Sequence, residues 1–137
     1  MHGLLIEGRD EADLERAEPD CKVHDAYPVA AAYMREVATL NVAEPWGKVS
    51  GPVLVVYGDG DFVTALADHA RIVDIVNGAR PGHATLSVVP GMDHHLDRAG
   101  TQRQAYDLRV THHGSGPYEP KLSQVVGDWL CSRARCG

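Results

Sequence analysis

At 137 residues and 14.8 kDa the chain is one domain or part of one, and 44% hydrophobic with 23% charged residues is the balance of an ordinary globular protein. A net charge of −6 without a basic stripe argues against a nucleic-acid partner, and no apolar run approaches the length of a membrane span. Cys21, Cys131 and Cys136 are an odd set without a Cys-x-x-Cys pair, which argues against a disulfide framework, and Met1 to Asp10 lacks a signal-peptide core, so with Met1 as the start a cytoplasmic location is expected.

Residues 1–20 are mostly charge and alanine, and an exposed helix or loose tail is expected there. Residues 21–50 read as a helical or linker region. In it Val29, Tyr33, Val37 and Leu40 make an apolar stripe on a helix over Pro28 to Leu40, and Glu44-Pro45-Trp46-Gly47 reads as its break, with Trp46 anchoring the linker. Residues 51–137 hold the main domain. Pro52 to Tyr57 is a short β-branched run stopped by Gly58-Asp59-Gly60-Asp61, the pattern of a strand buried on both faces in a parallel sheet. From Thr64 to Asn77 the period changes to a helical one, with Leu66, Ala70, Val73 and either Ile72 or Val76 on one face and Asn77-Gly78 as the stop. Ala84 to Val89 is a second strand, ended by Pro90-Gly91. The fold class is therefore α/β, a parallel βαβ unit with amphipathic helices.

Arg98 to Glu119 is polar and glycine-rich, with room for a short helix around Gln102 to Leu108; Tyr106 and Tyr118 in it either line an entrance or pack on the surface. Leu122, Val125, Val126, Trp129 and Leu130 then mark an amphipathic helix expected to cover one face of the sheet, with Cys131 to Gly137 fraying.

In a parallel sheet the loops at the carboxyl ends of the strands open on one crevice, where ligands bind. Asp61 and His94 lie on two such loops. A histidine acting as general base has to be held in one tautomer and stabilised as imidazolium, and a carboxylate on Nδ1 does both. Each residue also has a simpler reading: Asp61 as a turn residue or helix cap, His94 as a loop histidine bonded to backbone.

With Gly58-Asp59-Gly60-Asp61 after one strand and Gly91-Met92-Asp93-His94 after the next, the chain resembles the carboxyl-terminal part of an α/β-hydrolase over roughly residues 45–133. The resemblance implies Asp61 as acid and His94 as base of a Ser-Asp-His triad, and the helix over Pro28 to Leu40 as part of a cap; His95, directly after His94, leaves the register of the base open, and Asp59 is the next candidate for the acid. It also implies cleavage of an ester, amide or related acyl bond in a small-molecule substrate, without a cofactor. The nucleophile elbow Gly-x-Ser-x-Gly is absent, since none of Ser50, Ser87, Ser115, Ser123 and Ser132 has glycine two positions before and after it. A complete fold of this kind needs about twice this length. The expectation is a partial α/β-hydrolase fold, inactive alone. The alternative is a non-catalytic half-fold that self-associates through open sheet edges or docks on a partner chain. A histidine-rich metal site from His94, His95, His112 and His113 with Asp93 and Asp97 is the remaining rival, weakened because adjacent histidines point apart.

Overall fold

The structure is a computed structural model and describes residues 7–17, 19 and 31–134. Its contacts divide the chain into two compact units, residues 1–42 and 43–137. In the first unit, helix α1 (Glu11–Ala17) begins where the Asp10 carboxylate accepts the Ala12 N–H at 2.9 Å. Helix α2 (Ala31–Ala38) carries the expected stripe in part: Tyr33 and Val37 lie on it but are exposed, Leu40 falls beyond its end, and Val29 is outside the described residues.

Glu44-Pro45-Trp46-Gly47 does not simply break a helix; it lies inside a short one, α3 (Ala43–Lys48). Pro45 sits in the first turn, where no intrahelical partner is needed for its missing N–H. The turn that separates α2 from α3 is made instead by residues 39–42.

Strand β1 (Val53–Gly58) and strand β2 (Ala84–Val89) form a two-stranded parallel sheet, paired from Val53 with Ala84 to Gly58 with Val89. Helix α4 (Leu66–Ala79) connects them and packs on both strands. The unit is thus α/β, with its core in Val55, Tyr57, Val76, Ala84, Val89, Met92 and Ala105. Val76, 1% exposed, is the residue α4 buries most fully. The stop expected at Asn77-Gly78 is not there, because the helix runs through both to Ala79. Asn77 serves the sheet instead. Its side chain accepts the Ala84 N–H at 2.8 Å and donates to the Ala84 carbonyl at 3.0 Å, fixing the first residue of β2 against the helix. The chain turns at Gly82, with φ of 77°.

After β2, helix α5 (Gln102–Tyr106) is capped by Thr101, whose hydroxyl accepts from the Gln104 N–H while the Gln104 side chain accepts from the Thr101 N–H. A π-helical turn, Asp107–Thr111, follows directly. Helix α6 (Pro120–Ala134) closes the described chain and touches β2, with Leu122, Val125, Val126 and Trp129 half-buried. Of the segment expected to fray, Cys131 to Ala134 are helical, and residues 135–137 lie outside the described residues. No helix among the described residues is long and apolar enough to cross a membrane.

Candidate active site

The loops that follow β1 and β2 are stitched together before either reaches its titratable residue. Gly60 donates its N–H to the Met92 carbonyl at 3.0 Å, Asp59 N–H bonds the Val89 carbonyl, and the Asp59 carboxylate accepts the Gly91 N–H at 2.5 Å. Asp61 and His94 then meet across the junction, with His94 Nδ1 3.0 Å from Asp61 Oδ2.

Asp61 is 5% exposed, and its carboxylate is crowded with donors. Oδ1 accepts the Val63 and Thr64 N–H groups at 2.7 and 3.0 Å, and Oδ2 accepts the Thr64 hydroxyl at 2.6 Å as well as the imidazole. The turn-capping role and the histidine-holding role are therefore filled by the same side chain. Burial opposes ionisation, but the hydrogen bonds from the Thr64 hydroxyl, His94 and the two backbone amides outweigh it and hold the carboxyl at about 2. An ionised carboxylate can only accept, so Nδ1 of His94 must carry the proton of this bond. Nε2 of the neutral ring is then the basic nitrogen. The carbonyl of Asp61 is held too, by the Gln102 side chain at 2.8 Å, which ties the loop to the first turn of α5.

His94 stands at the corner of a tight turn. Leu96 N–H bonds the Asp93 carbonyl at 3.0 Å, and the Asp93 carboxylate accepts the N–H groups of His95 and Asp97 at 2.9 and 3.0 Å. Aspartate at the first position of such a turn is favoured for this bonding. His95 takes part through its backbone, its ring meeting that of His94 edge-on at 5.9 Å between centroids.

Beside the pair lies a cavity of about 200 Å³ whose walls include Val56, Met92, Leu96, Thr64 and a second imidazole, His69, along with Asp61 and His94. His69 leans on Tyr57, with ring centroids 4.9 Å apart, and its Nδ1 bonds the Ala65 carbonyl at 3.0 Å. The pattern of the α4 helix alone could have placed His69 here, since it falls near the helix start on the side facing β1. The His94 side chain is 44% exposed, so the pair sits at the edge of this cavity rather than sealed within it. None of the described serines lines the cavity, and the Thr64 hydroxyl is committed to Asp61. A larger, open depression of about 550 Å³ lies along Gly91, Asp59 and residues 100–104. It contains neither Asp61 nor His94, and its Arg103 is paired with Asp107, so the His94–Asp61 pair borders only the smaller of these two cavities.

The other candidates fall elsewhere. Tyr106 packs edge-on against Phe62, Tyr118 bonds Ser123, and neither lines the cavity; nor does Trp46, half-buried on α3. Among the described residues no group of three or more His, Cys, Asp or Glu side chains converges as metal ligands. Asp93 and Asp97, two carboxylates of the rival metal reading, are instead bound to Arg109. No protein-family model, curated protein or solved structure matches the chain.

Proposed function

We propose that these residues supply the acid and base of an α/β-hydrolase that cleaves an ester, amide or related acyl bond. The observation that carries this reading is the hydrogen bond from His94 Nδ1 to Asp61 Oδ2, 3.0 Å long, made between the loops at the carboxyl ends of adjacent parallel strands. The nucleophile, a serine hydroxyl, would come from residues other than these 137.

In that mechanism the hydroxyl oxygen bonds to the substrate carbonyl carbon as its proton passes to Nε2 of His94. Collapse of the tetrahedral species breaks the acyl bond, and the leaving alcohol or amine takes the proton from Nε2. Water repeats the sequence on the acyl-enzyme, with His94 again accepting the proton. Asp61 remains ionised throughout, orienting the ring and stabilising the imidazolium. Such chemistry calls for no cofactor.

The test is turnover of activated esters by the longest reading frame that contains these residues. His94→Ala and Asp61→Asn should each lower the rate by several orders of magnitude. Undiminished turnover by the His94 variant would sink the reading. The 137-residue chain by itself should show negligible turnover.

One observation favours a second reading, a non-catalytic half-fold. Among the described residues β1 and β2 pair only with each other, so each keeps an outer edge without a strand partner. Concentration-dependent association, with no esterase activity in any longer reading frame, would support it.

A further inference from the structure

Arg109 lies on the π-helical turn that follows α5 and is joined to the His94 loop at both ends of its turn. Its Nε donates to Asp93 Oδ2 at 2.9 Å, its Nη2 to Asp97 Oδ2 at 2.5 Å, and its Nη1 reaches the Gly114 carbonyl at 3.4 Å. The Asp93 side chain is fully buried and that of Arg109 is 15% exposed. These are charge-assisted bonds shielded from water, unlike the exposed pairs on α1 and α3. The segment that carries it is π-helical, a wider turn of the kind that recurs at functional sites.

The two oxygens of Asp93 divide the work. Oδ2 binds Arg109, while Oδ1 holds the amides of His95 and Asp97 and so shapes the turn on which His94 stands. That turn carries strain, because Leu96 sits at φ of 66°, a left-handed conformation unfavourable for a residue with its side chain. Leu96 is also 44% exposed, so burial of its side chain does little to hold it there. Without the guanidinium, Asp93 would be a buried carboxylate lacking its counter-charge, and it would be drawn toward water. The His95 and Asp97 amides would lose their acceptor, the turn would be left to its backbone bonds, from Asp93 N–H to the Asp97 carbonyl and from Glu119 N–H to the Leu96 carbonyl, and the His94 ring would be held less firmly against Asp61.

We infer that Arg109 is a positioning residue for His94, acting through Asp93 and Asp97 to hold the imidazole against Asp61. The inference rests on reading His94 as the base, but its test requires neither nucleophile nor substrate. In the full 137-residue chain labelled with nitrogen-15, the ring nitrogens of neutral His94 report its tautomer. The wild type should show the protonated-nitrogen shift on Nδ1 and the bare-nitrogen shift on Nε2.

In Arg109→Met the Nδ1-protonated form should lose its dominance while the amide signals of β1 and β2 stay in place. Arg80→Met, which cuts the bond from Arg80 Nη1 to the Val49 carbonyl at 2.7 Å, serves as a purely structural loss and should leave the tautomer alone. A folded Arg109→Met chain that keeps His94 protonated on Nδ1 overturns the inference, as does an equal change in Arg80→Met. Should Arg109→Met fail to fold, Asp97→Asn decides by the same spectrum: a reduced Nδ1-protonated population supports the clamp and an unchanged one overturns it. Absence of esterase activity with the tautomer effect intact would count against the proposed function alone.

Discussion

Gly58, the last residue of β1, faces the carbonyl of Met92 so closely that a Cβ at this position would collide with it. The contact is what brings the two loops to one place. Met92 is buried at 2% exposure and accepts the Gly60 N–H, so the chain beyond β2 is laid directly over the chain beyond β1. Asp61 follows Gly58 by three residues and His94 follows Met92 by two. The separation of carboxylate and imidazole is therefore set by a backbone-to-backbone approach that tolerates no side chain.

Gly58→Ala should consequently be among the most damaging single changes in the second unit. The obstacle is backbone, which cannot swing aside as a flexible side chain can. A loss of about 2 kcal/mol or more in unfolding free energy is expected, on the scale of overpacked interiors. Gly78→Ala is the contrast: Gly78 is within α4, has nothing within 4 Å of the place an alanine methyl would take, and should gain about 0.5–1 kcal/mol from helix propensity. Urea unfolding of both variants measures the difference, and equal effects would mean that the loop approach is slack.

Thr64→Val should cost about 1.5–3 kcal/mol, the range for a hydrogen bond to a charged group, because the shape is kept and only the donor to Asp61 Oδ2 is lost. Thr64→Ser, which keeps the hydroxyl, should lose much less. The same removal should raise the Asp61 carboxyl from about 2 toward its ordinary value, followed by carbon-13 titration of the carboxyl. An unmoved titration would show that Thr64 touches the carboxylate without stabilising its charge.

These relationships differ in how far the sequence discloses them. β1, β2 and α4 are legible because their apolar periods are strong, and the meeting of Asp61 with His94 follows once the strands are parallel neighbours. α3 was obscured because Pro45 and Gly47 count as helix breakers, although proline is tolerated in a first turn. The extension of α4 past Asn77 was hidden for a related reason: a glycine after asparagine is the usual stop, but here the asparagine side chain serves the first residue of β2. Arg109 was wholly illegible. It pairs with Asp93 across 16 residues through a π-helical turn, and no apolar period announces such a turn.

Acid should expose the Asp61 site through stability. The folded carboxyl lies at about 2 against 3.8 for the ordinary group, so between those values the unfolded chain binds a proton that the folded chain does not. Stability from this residue is therefore fully present above the ordinary value and is lost as pH falls through about 2. Its size is about 2 kcal/mol, from the free-energy equivalent of the shift. Asp93 adds an acid dependence of the same sign: burial opposes its ionisation, but the Arg109 hydrogen bond and the amides of Asp97 and His95 prevail and lower it. Asp61→Asn should thus flatten the stability curve between about pH 5 and pH 2 without levelling it. Urea unfolding across that range checks this, and parallel curves for the two proteins would mean that Asp61 ionises alike in the folded and unfolded chains. If the curves diverge as expected, Asp61 stays charged through the whole neutral range. Nδ1 of the neutral His94 ring then keeps its proton there, and any pH dependence of activity near neutrality has to come from a group other than this carboxylate.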